Sequence, residues 1–228
     1  MAGPGISAVL LFGSRARGDS SRGSDTDLLL ISPPGAPRHK SSGHLSMFFY
    51  PWAKLVADAR KGDLFVCHLT LEAKPVFDPA GRLDELRSAF RMRPNYRREI
   101  AQALDVGTMI DRFAERLDPE AAARRMVWCV RTVLIARSAE RGEPIFAPAR
   151  LATTASPAAA DILISRHQRK PDATMRFRFR RFLTEEGVGT DVGRLATLED
   201  YEALFKRTGN AVGSRTIHAG RDACGTYS

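Results

Sequence analysis

The stretch of residues 9–31, VLLFGSRARGDSSRGSDTDLLLI, constrains the fold of this chain most strongly. Its apolar run at residues 9–12 ends at Gly13-Ser14, an arginine-rich loop follows, and Asp25-Thr26-Asp27 leads into a second apolar run at residues 28–31. Short apolar runs bounded by turn residues are typical of buried strands. The pattern therefore predicts two strands, with a tight turn after the first and two carboxylates at the start of the second.

The spacing of the two aspartates indicates a metal site. Side chains at positions i and i+2 of a strand point to the same face, so Asp25 and Asp27 are expected on one side of the sheet. Mg²⁺ is usually held by one or two carboxylates together with the phosphates of a nucleotide. At Gly13-Ser14 the missing Cβ lets backbone N–H groups approach an anion, and a short helix is expected to begin there. A purely structural interpretation, with turn chemistry at both places, stays open.

Gly13-Ser14, a loop of about ten residues, and SDTDLLLI at residues 24–31 resemble the signature of the nucleotidyltransferase superfamily related to DNA polymerase beta. The likeness is to its small bacterial members and to antibiotic nucleotidyltransferases, and it covers about the first ninety residues. Two rival phosphate-binding motifs, G-x-G-x-x-G and the Lys-Ser/Thr of a P-loop, are absent from the sequence. The resemblance implies an α/β fold, with a small mixed nucleotidyltransferase sheet followed by an all-α helical bundle domain.

The same resemblance implies the reaction and the roles of the site residues. The protein would move a nucleoside monophosphate, expected to be AMP, from a nucleoside triphosphate, expected to be ATP, to an acceptor hydroxyl, with release of pyrophosphate. Asp25 and Asp27 would be the catalytic residues and would hold Mg²⁺, with room for two ions. Gly13, Ser14 and Arg17 would bind the nucleotide. The acceptor, which stays open among a small molecule, a tRNA end and a protein side chain, is expected in the cleft between the domains.

One part of the superfamily pattern is missing. Active relatives usually carry a third carboxylate on the strand after the Asp-x-Asp strand, where it is described as the base for the attacking hydroxyl. Here that strand has His44, Leu45 and Ser46 and no Asp or Glu. His44 is one candidate replacement, because an imidazole titrates near neutral pH, and Glu72 is a more distant one. The alternative, in which His44 is only a strand-end residue, stays open.

The composition favours an anionic partner. The formal net charge is +9, which suits nucleotides, RNA or an acidic protein surface without choosing among them. Cys67, Cys129 and Cys224 are widely spaced and form no C-x-x-C, as expected for reduced thiols. No signal peptide is indicated and no apolar run approaches the roughly 20 residues of a membrane span. We therefore expect a soluble, cytoplasmic protein with no membrane partner. The oligomeric state stays open, and a homodimer is one alternative.

The apolar pattern predicts three regions. They are an α/β domain at residues 1–92, a helical bundle at residues 93–208 and a flexible tail at residues 209–228, and the resemblance implies that the first is a nucleotidyltransferase catalytic domain and that the second binds the acceptor. The bundle is predicted from apolar residues at helical intervals and from Asp118-Pro119, a favourable helix start. Within the catalytic domain, a basic loop is expected at residues 32–43, a strand at residues 44–50 and a helix at residues 51–61. A second helix is expected at residues 63–72 and a short strand at residues 74–78.

The segment RFRFRRF at residues 176–182 permits two interpretations. Arginines with interleaved aromatics can neutralise phosphates and stack on bases, which favours an RNA-binding or nucleotide-binding face. On a helix, however, Met175, Phe179, Phe182 and Leu183 form one apolar face and the arginines lie in water.

Three hypotheses follow from the sequence as a whole. The protein is a metal-dependent nucleotidyltransferase, a nucleotide-binding regulatory module with little or no catalysis, or an RNA-binding protein.

Overall fold

The computed structural model describes residues 5–20, 23–166, 172–189 and 195–224, with only the backbone for residues 219–224. The chain divides into two compact units, Met1–Pro94 and Asn95–Ser228. The boundary lies two residues beyond the predicted one at residue 92. The first unit is a mixed sheet with helices and the second is helical, so the predicted fold class is confirmed.

The first unit is built on a five-stranded sheet with the order β3-β4-β2-β1-β5. Strand β2 pairs antiparallel with β1 and parallel with β4, and β3 and β5 are antiparallel edge strands. The strands are β1 (Ala8–Phe12), β2 (Thr26–Ser32), β3 (Arg38–Ser42), β4 (Leu45–Pro51) and β5 (Lys74–Phe77), and the helices of this unit are α1 (Ser14–Arg17), α2 (Trp52–Arg60), α3 (Leu64–Glu72) and α4 (Arg82–Ala89).

The core of this unit follows from the alternation of β1 and β2. Ala8, Leu10 and Phe12 of β1 are buried, as are Leu29 and Ile31 of β2, and all five belong to one hydrophobic cluster. Directly opposite residues of paired strands share a face, so these side chains cover one side of the sheet. The remaining buried members of the cluster come from α2, α3, α4 and the residue after α3, and they are Leu55, Ala59, Val66, Leu69, Ala73, Leu83 and Leu86.

The segment at residues 63–72, whose pattern fits both a strand and a helix, is the helix α3. Asp63 caps it, because its side chain accepts hydrogen bonds from the backbone N–H groups of Phe65 (2.9 Å) and Val66 (3.1 Å). Burial raises the pKa of Asp63 and outweighs the opposing effect of these hydrogen bonds. Helix α3 therefore begins at a half-buried cap, one residue after the positive-φ Gly62 that follows α2.

The basic loop predicted at residues 32–43 is wrong in part, because Arg38–Ser42 forms the edge strand β3. Its partner is β4, with His39 opposite Phe48 and Ser41 opposite Ser46. The sequence RHKSS has no apolar residue, and every residue of β3 is exposed. No hydrophobic alternation marked this strand in the sequence, since it covers no core.

The second unit consists of helices packed around long apolar stripes. Asp118 caps its longest helix, accepting from the backbone N–H of Ala121 at 2.7 Å, as its position before Pro119 predicts. A short 3₁₀ turn, Ala114–Arg116, precedes this cap. The helices are α5 (Arg97–Phe113), α6 (Pro119–Glu140), α7 (Pro148–Thr154), α8 (Pro157–Ile164), α9 (Ala173–Glu185), α10 (Leu198–Thr208) and α11 (Ala211–Cys224).

The structure contradicts the predicted flexible tail over most of its length, because helix α11 occupies Ala211–Cys224. Asn210, which is 3% exposed, accepts from the backbone N–H of Gly213 at 3.0 Å and donates to the carbonyl of Gln102 at 2.8 Å. Ile217 is buried as well. The buried Asn210 cap and the buried side chain of Ile217 hold this segment as a helix, although its sequence shows little apolar periodicity. Residues 225–228 lie outside the described residues.

Within the part of the chain that the structure describes, no helix is both long and apolar enough to cross a bilayer. Cys67 and Cys129 are buried free thiols, and the side chain of Cys224 lies outside the described residues. Burial raises the pKa of Cys67 to about 12 and also raises that of Cys129. Both thiols are therefore protonated near neutral pH and are packing groups.

Candidate active site

The turn after β1 lies against Asp27. Gly13 is buried, and its φ of 75° and ψ of −154° are open essentially to glycine alone. A Cβ at this position would lie 2.6 Å from Oδ2 of Asp27, which is too close for any real side chain. Phe12, the residue before Gly13, stands opposite Asp27 in the antiparallel β1–β2 pair. The sheet thus brings the Gly13-Ser14 backbone and one predicted metal ligand to the same corner.

The two predicted metal ligands lie at the start of β2, one within the strand and one just before it. Asp27 is half-buried within the strand, and Asp25 lies one residue before its start with 57% of its side chain exposed. Oδ1 of Asp25 lies 3.3 Å from Nδ1 of His44, which is 73% exposed. Among the described residues, no three His, Cys, Asp or Glu side chains form a cluster able to hold a metal. Two carboxylates that leave the other positions to phosphate oxygens still fit the way Mg²⁺ is commonly held.

Ser46 lies beside Asp27 on β4, the strand on which the resemblance implies a third carboxylate. The two residues are direct partners in the parallel β2–β4 pair, so their side chains share a face. The sequence of β4, LSMFFYP, contains no acid. Oγ of Ser46 lies 3.3 Å from Nε2 of His39, and Oγ of Ser41 lies 3.2 Å from the same nitrogen. Sequence reasoning missed this polar cluster because it assigned His39 and Ser41 to a loop.

Both arginines of α1 form hydrogen bonds with other residues of this unit. The Arg15 guanidinium donates to the carbonyl of Ser24 at 3.0 Å, immediately before Asp25. Arg17 donates to Oδ2 of Asp19 at 3.1 Å and to Oε2 of Glu72 at 2.5 Å, and its side chain is only 18% exposed. The structure therefore shows Arg17 engaged by two carboxylates, and its predicted contact with a nucleotide stays a prediction.

Glu72 links α1 to α3 through Arg17 and is not an exposed carboxylate at the candidate site. Its Oε2 also lies 2.7 Å from Nε2 of His68, and its side chain is 14% exposed. Burial alone raises the pKa of Glu72, but the hydrogen bonds and charges of His68 and Arg17 outweigh burial, and the pKa lies below its ordinary value. His68 packs edge-on against Phe12, with ring centroids 5.5 Å apart, as expected for a largely buried histidine. Glu72 is thus a charged structural link in this unit.

The arginines of α9 are paired within the helical unit. Met175, Phe179, Phe182 and Leu183 are buried on one face, as the amphipathic interpretation predicts. The arginines form ion pairs with carboxylates of the same unit, at N–O distances of 3.0 to 3.3 Å, and the pairs are Arg176–Glu115, Arg178–Asp161, Arg180–Asp111 and Arg181–Glu185. This pairing neutralises much of the positive charge that these arginines would need to bind the phosphates of an RNA.

A comparison with protein families finds a match in the first part of the chain. Residues 3–80 match the family model of the nucleotidyltransferase domain. This segment is a nucleotidyltransferase domain. The match covers about a third of the chain and contains Gly13, Ser14, Arg17, Asp25 and Asp27. The nucleotidyltransferase domain supports a transferase activity for the protein in general terms, and it leaves the nucleotide, the metal and the acceptor open.

The chain was also compared with curated proteins and with solved structures. No curated protein matches the chain significantly. Nine chains of solved structures match it, among them a nucleotidyltransferase-like protein from Exiguobacterium sibiricum 255-15. That match has 13% sequence identity and a TM-score of 0.33, and it covers 96% of this chain and 87% of the other.

Proposed function

We propose that this protein is a metal-dependent nucleotidyltransferase that moves a nucleoside monophosphate from a nucleoside triphosphate to an acceptor hydroxyl and releases pyrophosphate. ATP is the expected donor and AMP the expected group. The observation that supports this most is the corner at which the Gly13 backbone lies against Asp27, where a Cβ would be 2.6 Å from the carboxylate. The backbone of a glycine turn and a half-buried carboxylate meet at this corner, and these are the groups that would bind phosphate and a cation.

Each site residue has a part in this proposal. Asp25 and Asp27 would hold Mg²⁺, which when bound offsets the negative charge on the phosphates. The backbone N–H groups of Gly13 and Ser14 would donate to the β and γ phosphates. Arg15 keeps the end of the loop near Asp25 through its hydrogen bond to Ser24. The acceptor oxygen would attack the α-phosphorus while the bond to pyrophosphate breaks.

A second candidate function is a nucleotide-binding module with little or no catalysis. Ser46 at the position of a third carboxylate favours it, because a site with one acid fewer holds a catalytic metal less strongly. Such a module would bind a triphosphate at the same corner and would release no pyrophosphate. The RNA-binding hypothesis has less support, since the α9 arginines are paired with carboxylates.

The two candidates are separated by measuring binding and turnover on the same protein. Calorimetric titration with ATP and Mg²⁺ gives binding, and pyrophosphate release in the presence of aminoglycosides, total tRNA or protein acceptors gives turnover. A transferase releases pyrophosphate, and Asp25→Asn or Asp27→Asn abolishes the release. Asp84→Asn is the matched control, because Asp84 is an exposed acid on α4 that pairs with Arg87. Tight binding without release for any acceptor would favour the module.

A further inference from the structure

The position that lacks a carboxylate is not empty of polar groups. Ser46 stands beside Asp27 across the parallel pair, and its hydroxyl oxygen lies 3.3 Å from Nε2 of His39. His39 comes from β3, the edge strand that the sequence did not reveal. One face of the sheet therefore carries Asp27, Ser46 and His39 in succession over three neighbouring strands.

The His39 ring is held in one orientation. It stacks on Phe48, its direct partner on β4, with ring centroids 4.4 Å apart and an angle of 30° between the planes. Ser41, two residues further along β3, lies 3.2 Å from the same Nε2. The flanking residues Arg38 and Lys40 belong to the opposite face, because side chains alternate along a strand. The Arg38 guanidinium accordingly lies over the ring of Phe49, 5.6 Å from its centroid.

We propose that His39 takes the place of the missing third carboxylate as the proton acceptor in nucleotidyl transfer. This inference rests on the proposed function. The O–H bond of the acceptor breaks and its proton passes to Nε2 of His39, directly or through the hydroxyl of Ser46. The acceptor oxygen forms its new bond to the α-phosphorus, and the bond between that phosphorus and the leaving pyrophosphate breaks. Nδ1 carries the ring proton at the start of the step, which leaves Nε2 free to accept.

The test uses the full chain with Mg²⁺ and ATP, and measures pyrophosphate release with water and with the acceptors named above. His39→Gln should lower the rate by about 100-fold or more, the usual contribution of a general base, while ATP binding by calorimetry stays unchanged. Lys40→Gln is the matched control, on the same strand and the opposite face, and should leave the rate unchanged. Because β3 is exposed, neither substitution should shift the thermal unfolding midpoint appreciably.

A rescue separates catalysis from mere packing. Ser46→Asp places a carboxylate beside Asp27, so the double variant His39→Gln with Ser46→Asp should recover most of the activity lost by His39→Gln alone. Release that survives His39→Gln, or that is lost instead in His44→Gln, would overturn the role of His39 and leave the proposed function standing. Wild-type protein that binds ATP and Mg²⁺ but releases no pyrophosphate would contradict the proposed function and this inference together.

Discussion

The backbone of Gly13 lies directly against the carboxylate of Asp27, so that the end of one strand and the start of the next form a single corner. The contact joins the two parts of the sequence pattern that an intervening loop separates along the chain. It also explains why residue 13 is glycine, since both its positive φ and the neighbouring carboxylate exclude a side chain.

The first prediction concerns this corner. Gly13→Ala should destabilise the fold by about 1–3 kcal/mol, because alanine rarely adopts this backbone conformation. It should also weaken Mg²⁺-dependent ATP binding by about tenfold or more, since the new methyl group displaces Asp27. Gly18→Ala is the control, because Gly18 also has positive φ but has nothing within 4 Å of an added Cβ. Equal ATP affinity in the two variants, measured by calorimetry, would contradict the assignment of the corner.

The second prediction concerns Glu72. Glu72→Gln removes the less exposed of the two carboxylates that pair with Arg17 and should lower the free energy of unfolding at pH 7 by about 1–3 kcal/mol. The pKa of Glu72 is lowered in the folded state, so its contribution is present above the unfolded pKa of about 4.3 and is lost as the pH falls through the folded pKa. Urea unfolding should thus show the stabilities of the two proteins converging as the pH falls through the lowered pKa of Glu72.

Glu85→Gln provides the comparison for Glu72. Glu85 also pairs with an arginine, Arg82, but its side chain is 53% exposed. Exposed ion pairs contribute little, so this variant should lie within about 0.5 kcal/mol of wild type at pH 7. A loss for Glu85→Gln as large as that for Glu72→Gln would show that the Arg17–Glu72 pair is an ordinary surface pair.

The third prediction concerns the two buried thiols. With its pKa raised to about 12, Cys67 holds only about one thiolate in ten thousand at pH 8. In a Cys224→Ser background, iodoacetamide should therefore label neither Cys67 nor Cys129 in the folded protein and should label both in urea. Labelling of the folded protein at the rate of free cysteine, measured by intact mass, would contradict their burial.

The fourth prediction concerns the C-terminal helix. Asn210→Ala removes the hydrogen bonds to Gly213 and Gln102 from a buried position, and should cost about 1–3 kcal/mol of stability. Amide exchange at residues 211–218 should accelerate as α11 loosens. Asn95→Ala, at an exposed asparagine of the same unit, should change neither quantity. Fast exchange at residues 211–218 in wild type would instead support the flexible tail expected from sequence.

The elements that the sequence predicts well are those whose signals are local. Helix α10 spans Leu198–Thr208, because Thr197 and Asp200 form a capping box at its start and Gly209 ends it in the left-handed conformation. The strands β1 and β2 carry buried apolar runs between turn residues, and the helix α9 carries a clear apolar face. In each case the information lies within about one turn of the element.

The features that the sequence did not predict depend on distant partners. Strand β3 is defined by its pairing with β4 and not by an apolar pattern of its own. Helix α11 packs closely against Phe205 at Gly213, where a Cβ would lie 2.6 Å from the ring of Phe205. Arg17 donates to Glu72, which is 55 residues away in sequence, and no local pattern indicates this partner. The same limit applies to His39, whose proximity to Ser46 follows from strand register alone.

The most direct test of the central claim is a crystal structure with Mn²⁺, which scatters anomalously, and a non-hydrolysable ATP analogue. We expect a metal peak about 2.1–2.2 Å from carboxylate oxygens of both Asp25 and Asp27, as for hard divalent cations, with the β and γ phosphates on the backbone N–H groups of Gly13 and Ser14. Metal and triphosphate bound elsewhere, with the Gly13–Asp27 corner left unliganded at saturating concentrations, would contradict the account.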